Sequence, residues 1–329
     1  MTDLLPVRFT DVLKARRNLR AWLRPTPLYT YPALSTMVGA EIWVKHENHQ
    51  PVGAFKVRGG VHLISQLSPE QRQAGVIAAS TGNHGQSVAY AARLFGVRAV
   101  IAVPEGANPA KVASMRHLGA EVVFQGQDFD EAREWVEQEA RTQGYRYIHS
   151  GNEPLLIAGV GTYALEMLDD QPDLDVIIAP VGGGSGAAGV CIVAKTVNPA
   201  IRVIGVQSAQ APAAWRSWRE GRLLEAPMAT FAEGLATRTA FELPQQILRR
   251  YLDDFILVSD DEIRRAIIIL LAHTRNLAEG AGAASLAAAL RLRQELAGKR
   301  VGVVLSGGNL SIDRLRGLLA AEGSPAFKL

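Results

Sequence analysis

In "PVGAFKVRGG", Pro51 to Gly60, a primary amine stands among small and apolar neighbours, Lys56 lying between Phe55 and Val57 where a helix begins. Near a helix N-terminus a cation meets the unfavourable end of the macrodipole, and apolar neighbours withhold water; both effects lower a lysine pKa. A lysine treated in this way is a neutral nucleophile at moderate pH, able to form a Schiff base. Read in isolation, however, Lys56 is simply a surface lysine pointing to solvent, so the chemical reading needs companions.

Three other segments supply them. "VGGGSGAAG", Val181 to Gly189, follows a strand pattern and opens a helix, so its consecutive N–H groups face outward at a positive helix end and suit a phosphate. By itself the loop serves equally well as a flexible turn with close helix packing. Gly184, Gly186 and Gly189 also spell the dinucleotide fingerprint, which makes a nicotinamide-dependent oxidoreductase a rival. That motif expects an acid at the end of the next strand, where "RVIGVQS" ends instead in Gln207 and Ser208. A P-loop fails too, since no Gly-Lys-Ser/Thr follows the glycines. "STGNHGQS", Ser80 to Ser87, offers Ser80, Thr81 and Asn83 with free loop N–H groups, a set that can hold a carboxylate or merely form an Asx-type turn. The ring of His84 lacks any partner pattern for a metal or a triad and reads as structural. "LSGGN", Leu305 to Asn309, ends an apolar strand and either carries the Ser306 hydroxyl into a cleft or is a plain turn.

These loops need a scaffold that brings strand ends together, and the strand pattern provides one. Short β-branched runs such as "EIWVKHE", "GVIAAS", "RAVIAVP", "EVVFQG", "YRYIH", "DVIIAPV", "RVIGVQS", "DFILVS" and "RVGVVLSGG" alternate with helical periodicity over 86–95, 109–118, 128–142 and 260–275. That alternation predicts α/β architecture with parallel sheets wrapped by helices, in which ligands bind beyond the carboxyl ends of the strands. At 329 residues the chain exceeds one comfortable core, so two lobes are expected, a large domain of 1–70 and 151–329 and a small one of 71–150.

Composition excludes several classes. The net charge is only +3, and the densest basic group, Arg16, Arg17, Arg20 and Arg24, reads as a solvated helix face without aromatic interleaving, so no nucleic-acid partner is expected. Cys191 is the single cysteine, which rules out an internal disulfide framework or a thiolate zinc cage within one chain. Val176 to Ala194 carries no charge and is about one membrane span long, but Pro180 and five glycines make a strand, a turn and a small-residue helix the better description. With no membrane span and no secretory signal at the N-terminus, a cytoplasmic location is expected.

Taken in order, these segments resemble the fold type II pyridoxal-phosphate enzymes, in particular the threonine/serine dehydratase and serine racemase group, over nearly the whole chain. "GAFKVRGG", "STGNHGQS", "VGGGSGAAG" and "LSGGN" are each similar to a segment of that group, and "LAEGAGAAS", Leu277 to Ser285, to a fifth. The resemblance implies two largely parallel sheets with pyridoxal 5'-phosphate in the cleft between the lobes. It implies that Lys56 holds the cofactor, Phe55 packs near it, and Gly182, Gly183, Gly184, Ser185 and Gly186 bind its phosphate. Asn83 would bond the ring hydroxyl oxygen and Ser306 the pyridine nitrogen. The loop of Ser80, Thr81, Gly82 and His84 would take the carboxylate of an amino-acid substrate, making Lys56 and Thr81 the candidate catalytic residues.

The implied reaction is dehydration of a β-hydroxy α-amino acid, L-threonine or L-serine, to a 2-oxo acid and ammonia, by a homo-oligomer, dimer or tetramer. Serine racemisation, or dehydration of phenylserine or hydroxyaspartate, is the alternative. The chain departs from the group at Ala54 for serine, Ser185 for the fourth loop glycine and Val160 for glutamine, which bears on substrate identity more than on cofactor binding. Where some members similar to serine racemase hold a divalent cation with a glutamate and an aspartate, this chain has Gln207 and Ala213, so no metal is expected. Feedback control by isoleucine is not expected either, since no regulatory domain follows the catalytic part.

Overall fold

The computed structural model describes residues 5–321, which divide into two compact units. The first combines Met1–Arg24 with Lys56–Thr162, the second Pro25–Phe55 with Tyr163–Leu329. The chain therefore changes unit between Phe55 and Lys56 and again inside the helix Pro154–Asp170. The expected division left residues 1–70 and 151–329 with the larger unit; packing assigns 5–24, 56–70 and 151–162 to the first unit. The cause is the helix Lys56–Ser65, which lies along Asn83–Leu94 and Pro154–Asp170 through two glycines. A Cβ on Gly59 would stand 2.7 Å from the Leu156 side chain, and one on Gly60 2.3 Å from Ser87 Oγ.

The first unit is built on a four-stranded parallel sheet. Its strands are β3 (Val76–Ala79), β4 (Ala99–Val103), β5 (Glu121–Phe124) and β6 (Arg146–Tyr147), in the order β5-β4-β3-β6. Strands β3 and β4 are buried along their whole length, which is why they read as continuous apolar runs rather than alternating ones. Ile77, Ala79, Val100 and Ala102 pack against Ala132 and Val136 of the helix Phe129–Gln143, whose N-cap Asp128 accepts from Glu131 N.

The second unit holds a six-stranded sheet of β1 (Leu28–Thr30), β2 (Glu41–His46), β7 (Val176–Pro180), β8 (Arg202–Ser208), β9 (Asp254–Val258) and β10 (Arg300–Leu305). Their order is β1-β2-β10-β7-β8-β9, with only β1 antiparallel. Helices Asp260–Thr274 and Gly280–Arg291 bring Ile263, Ile267, Ala283 and Ala287 onto Val176, Ile178, Ile204, Val301 and Val303. The uncharged stretch 176–194 resolves into β7, a glycine turn and the helix Ser185–Val197. Among the described residues no helix is long and apolar enough to cross a membrane.

Candidate active site

In the second unit, three sequence-predicted segments have a structural reason for their composition. The turn after β7 is so closely backed that side chains would not fit: a Cβ on Gly182 would fall 2.1 Å from the Gly234 carbonyl oxygen, and one on Gly183 2.5 Å from the Phe241 ring. Gly184 has φ of +86°, a conformation that favours glycine, and it caps the helix Ser185–Val197. The first N–H groups of that helix lie outside its own hydrogen-bond ladder and point along its positive end. A narrow cradle of backbone donors results, in which Ser185 is buried.

The second segment is the turn after β10. Val52–Phe55 runs antiparallel to Ser306–Asn309: Phe55 N donates to Ser306 O at 3.0 Å, Gly308 N to Gly53 O at 2.9 Å, and Asn309 Nδ2 to Val52 O at 2.8 Å. Phe55 thus stands beside the buried Ser306, and its ring also reaches the glycine loop, lying 3.1 Å from where a Cβ on Gly186 would be. Tyr163 meets the same ring edge to face at 6.0 Å. Within this unit Phe55, Gly186 and Ser306 are gathered.

The third segment, "LAEGAGAAS", explains itself through its glycines. A Cβ on Gly282 would sit 2.1 Å from Gly307 O, and one on Gly280 2.6 Å from Ala232 Cβ, so the helix Gly280–Arg291 seats both neighbouring loops closely. Its N-cap Glu279 donates its N–H to Gly307 O at 3.0 Å and lays its carboxylate against Gly307. Glu279 and Tyr163 were not singled out from the sequence, although Glu279 lies inside "LAEGAGAAS" and Tyr163 stands three residues after Val160.

In the first unit the remaining candidates cluster around Lys56. The residue is half-buried, and its amine turns inward to donate to Ser150 O at 2.9 Å; loss of water there holds its pKa down to about 8. Burial is the cause of this shift. Ser87 Oγ donates to the Lys56 carbonyl at 2.7 Å. Ser80 Oγ accepts from Gly82 N at 3.2 Å and Gly85 N at 2.9 Å, so the Ser80–Asn83 turn is closed by Ser80, and one of the loop N–H groups expected to take a carboxylate is engaged locally. Thr81 and Asn83 are half-buried, and Asn83 opens the helix Asn83–Leu94. The His84 ring is buried with Nε2 3.0 Å from Ile148 O, as a structural histidine would be. Ser150 and His149 escaped sequence reading because the groups they contribute, a peptide carbonyl and a capping nitrogen, leave no type-specific mark.

At the end of β8 the Gln207 side chain is fully buried. Its Oε1 accepts from Trp215 N at 3.0 Å, while Nε2 donates to Leu235 O at 3.4 Å and Thr237 Oγ1 at 3.5 Å. Among the described residues no group of three or more His, Cys, Asp or Glu is placed to hold a metal ion.

Each unit taken by itself holds groups that suit pyridoxal phosphate: the first a desolvated primary amine, the second a glycine cradle at a helix N-terminus beside an aromatic ring and a buried serine. The comparisons with known proteins agree. L-threonine ammonia-lyase of Thermotoga maritima is 39% identical over 310 residues, covering 94% of this chain and 77% of the relative. Serine racemase from Dictyostelium discoideum superposes with a TM-score of 0.87 at 32% identity, over 93% of this chain and 99% of that one. The processed form of threonine deaminase isoform 2 from Solanum lycopersicum gives a TM-score of 0.89 at 30% identity, over 98% of both chains. The family model described as "Pyridoxal-phosphate dependent enzyme" matches residues 19–307, and the chain belongs to that family.

Proposed function

We infer that the protein is a pyridoxal-phosphate-dependent lyase that dehydrates a β-hydroxy α-amino acid, L-threonine or L-serine, to a 2-oxo acid and ammonia. The observation that carries this reading is the Lys56 amine, desolvated to a pKa of about 8 and held by a neutral carbonyl, in a chain whose relatives include L-threonine ammonia-lyase. When bound, the cofactor supplies an electron sink for the charge left at the substrate Cα. The side chains do the rest. Lys56 Nζ takes the Cα proton, and loss of the β-hydroxyl as water follows, after which water replaces nitrogen to give the 2-oxo acid and ammonia. The N–H groups of the Gly182–Gly186 loop would receive the phosphate, the Ser306 hydroxyl would bond the pyridine nitrogen, and Phe55 would pack near the cofactor. Asn83 would bond the ring hydroxyl oxygen, and the turn of Ser80, Thr81, Gly82 and His84 would take the carboxylate. The protein works as a cytoplasmic homo-oligomer, a dimer or a tetramer, which light scattering on the purified protein and cell fractionation would check.

A keto-acid assay with L-threonine, L-serine, phenylserine and hydroxyaspartate tests the substrate class. The expected order places threonine or serine first in kcat/KM; turnover of none of the four contradicts the reading. A second reading, serine racemisation, is favoured by the likeness to the Dictyostelium discoideum enzyme. Chiral chromatography alongside the keto-acid assay separates the two: pyruvate should form from L-serine faster than D-serine accumulates, and the reverse would install the racemase reading.

A further inference from the structure

The helix Asn83–Leu94 holds the Lys56 backbone directly and the segment that carries the acceptor of its amine. One turn apart on the same face, Ser87 Oγ donates to the Lys56 backbone carbonyl at 2.7 Å, and His84 Nε2 lies 3.0 Å from Ile148 O, two residues before the Ser150 carbonyl that receives the Lys56 amine at 2.9 Å. A carbonyl only accepts, so His84 presents an N–H at Nε2 and keeps a bare lone pair at Nδ1, which is buried without a hydrogen-bond partner. The turn between the two carbonyls is closed by His149, whose Nδ1 accepts from Gly151 N at 3.0 Å and Asn152 N at 2.9 Å. Burial, aided for His84 by the nearby Lys56, lowers the ring pKa to about 3 for His84 and about 4 for His149, so both stay neutral at working pH.

We propose that the Ser150 carbonyl is the dock for the Lys56 amine whenever that amine is not joined to the cofactor, and that His84 is the positioning residue that sets the dock. The chemistry of the acceptor supports this. A carboxylate in the same place would favour the ammonium form and undo the effect of burial, whereas a peptide carbonyl aims the amine without a countercharge. His84, itself neutral, holds the Ile148 carbonyl two residues before that acceptor and so sets the turn that presents it, without adding charge. Because His84 directly follows Asn83, the dock and the Ser80–Asn83 turn are tied to the same helical turn. The inference rests on the reading of Lys56 as the cofactor lysine.

The test follows uptake of pyridoxal phosphate by apo-protein through growth of the visible band, with melting temperature as a control for general damage. His84→Leu should slow uptake about three- to tenfold, the loss of one positioning hydrogen bond. His84→Gln, whose amide N–H can reach the position of Nε2, should return the rate to within about twofold of the parent, since it restores that single bond. Equal rates for parent and His84→Leu, or a His84→Gln as slow as His84→Leu, would overturn the role of His84. A parent protein that never develops the band overturns the reading of Lys56 itself. If His84→Leu does not fold, nitrogen NMR of the unaltered protein decides: the Nε2–H tautomer of His84 should persist from about pH 5 to 9, given a ring pKa well below that window, and an Nδ1–H tautomer would contradict the proposal.

Discussion

Lys56 is an amine that folding places where its charged form is disfavoured, and this has a measurable consequence for stability. Its folded pKa of about 8 lies below the ordinary lysine value of 10.5, so between those values the unfolded chain binds more protons than the folded one. Apo-protein stability should therefore rise with pH across that window. Below about pH 8 the full penalty applies, on the order of 3 kcal/mol, and it vanishes above the unfolded pKa. Denaturant titration of the apo-protein should find Lys56→Met more stable than the parent at pH 7, with the difference shrinking towards pH 10.5. A difference independent of pH would show that the amine is not desolvated. Thr81 bears on the outcome of the reaction. Its β-branch restricts the side chain to fewer rotamers than serine has, which suits a hydroxyl that holds a carboxylate better than one that swings towards Cα. Thr81→Ser should raise the ratio of D-serine to pyruvate formed from L-serine, read by chiral chromatography with a keto-acid assay.

Among the elements, the turn between β7 and the helix Ser185–Val197 leaves no room for a side chain at its first glycine. A Cβ at Gly182 would lie 2.1 Å from a backbone carbonyl that cannot swing aside as a side chain could. Gly182→Ala must displace the loop, at a cost of about 1–3 kcal/mol, and the dissociation constant for pyridoxal phosphate should rise about tenfold or more. Titration of the visible band measures it, and unchanged affinity would remove the loop from the phosphate site. The parallel strands were legible because a strand buried on both faces reads as an unbroken β-branched run, as in "DVIIAPV" and "RVGVVL". Strand β1 was not: Leu28–Thr30 is three residues long, lies antiparallel at the sheet edge and buries only Leu28, so it has neither the length nor the pattern that marks a strand. The candidate loops were legible through their glycines and their order, but the Ser150 carbonyl was not, because every residue has one.

For the whole molecule, two sheets of the expected kind were foreseeable from strand–helix alternation, whereas the division into units was not. Gly59, Gly60 and Gly159 draw the helix Lys56–Ser65 into the first unit, and tight tertiary contacts of this kind leave only isolated glycines in the sequence. At the end of β8, Gln207 joins Trp215 to Leu235 and Thr237 with a neutral amide, a poor ligand for a hard divalent cation. Activity should therefore survive chelation, and a large loss restored by magnesium would contradict this. The claim on which everything else depends is that Lys56 carries pyridoxal phosphate, and one measurement reaches it directly. The purified protein is reduced with borohydride and the labelled peptide is mapped. The expected result is a visible band that borohydride bleaches, a single pyridoxyl label on Lys56, and no band in Lys56→Ala. A colourless protein reconstituted with pyridoxal phosphate, or a label on a different lysine, would contradict it.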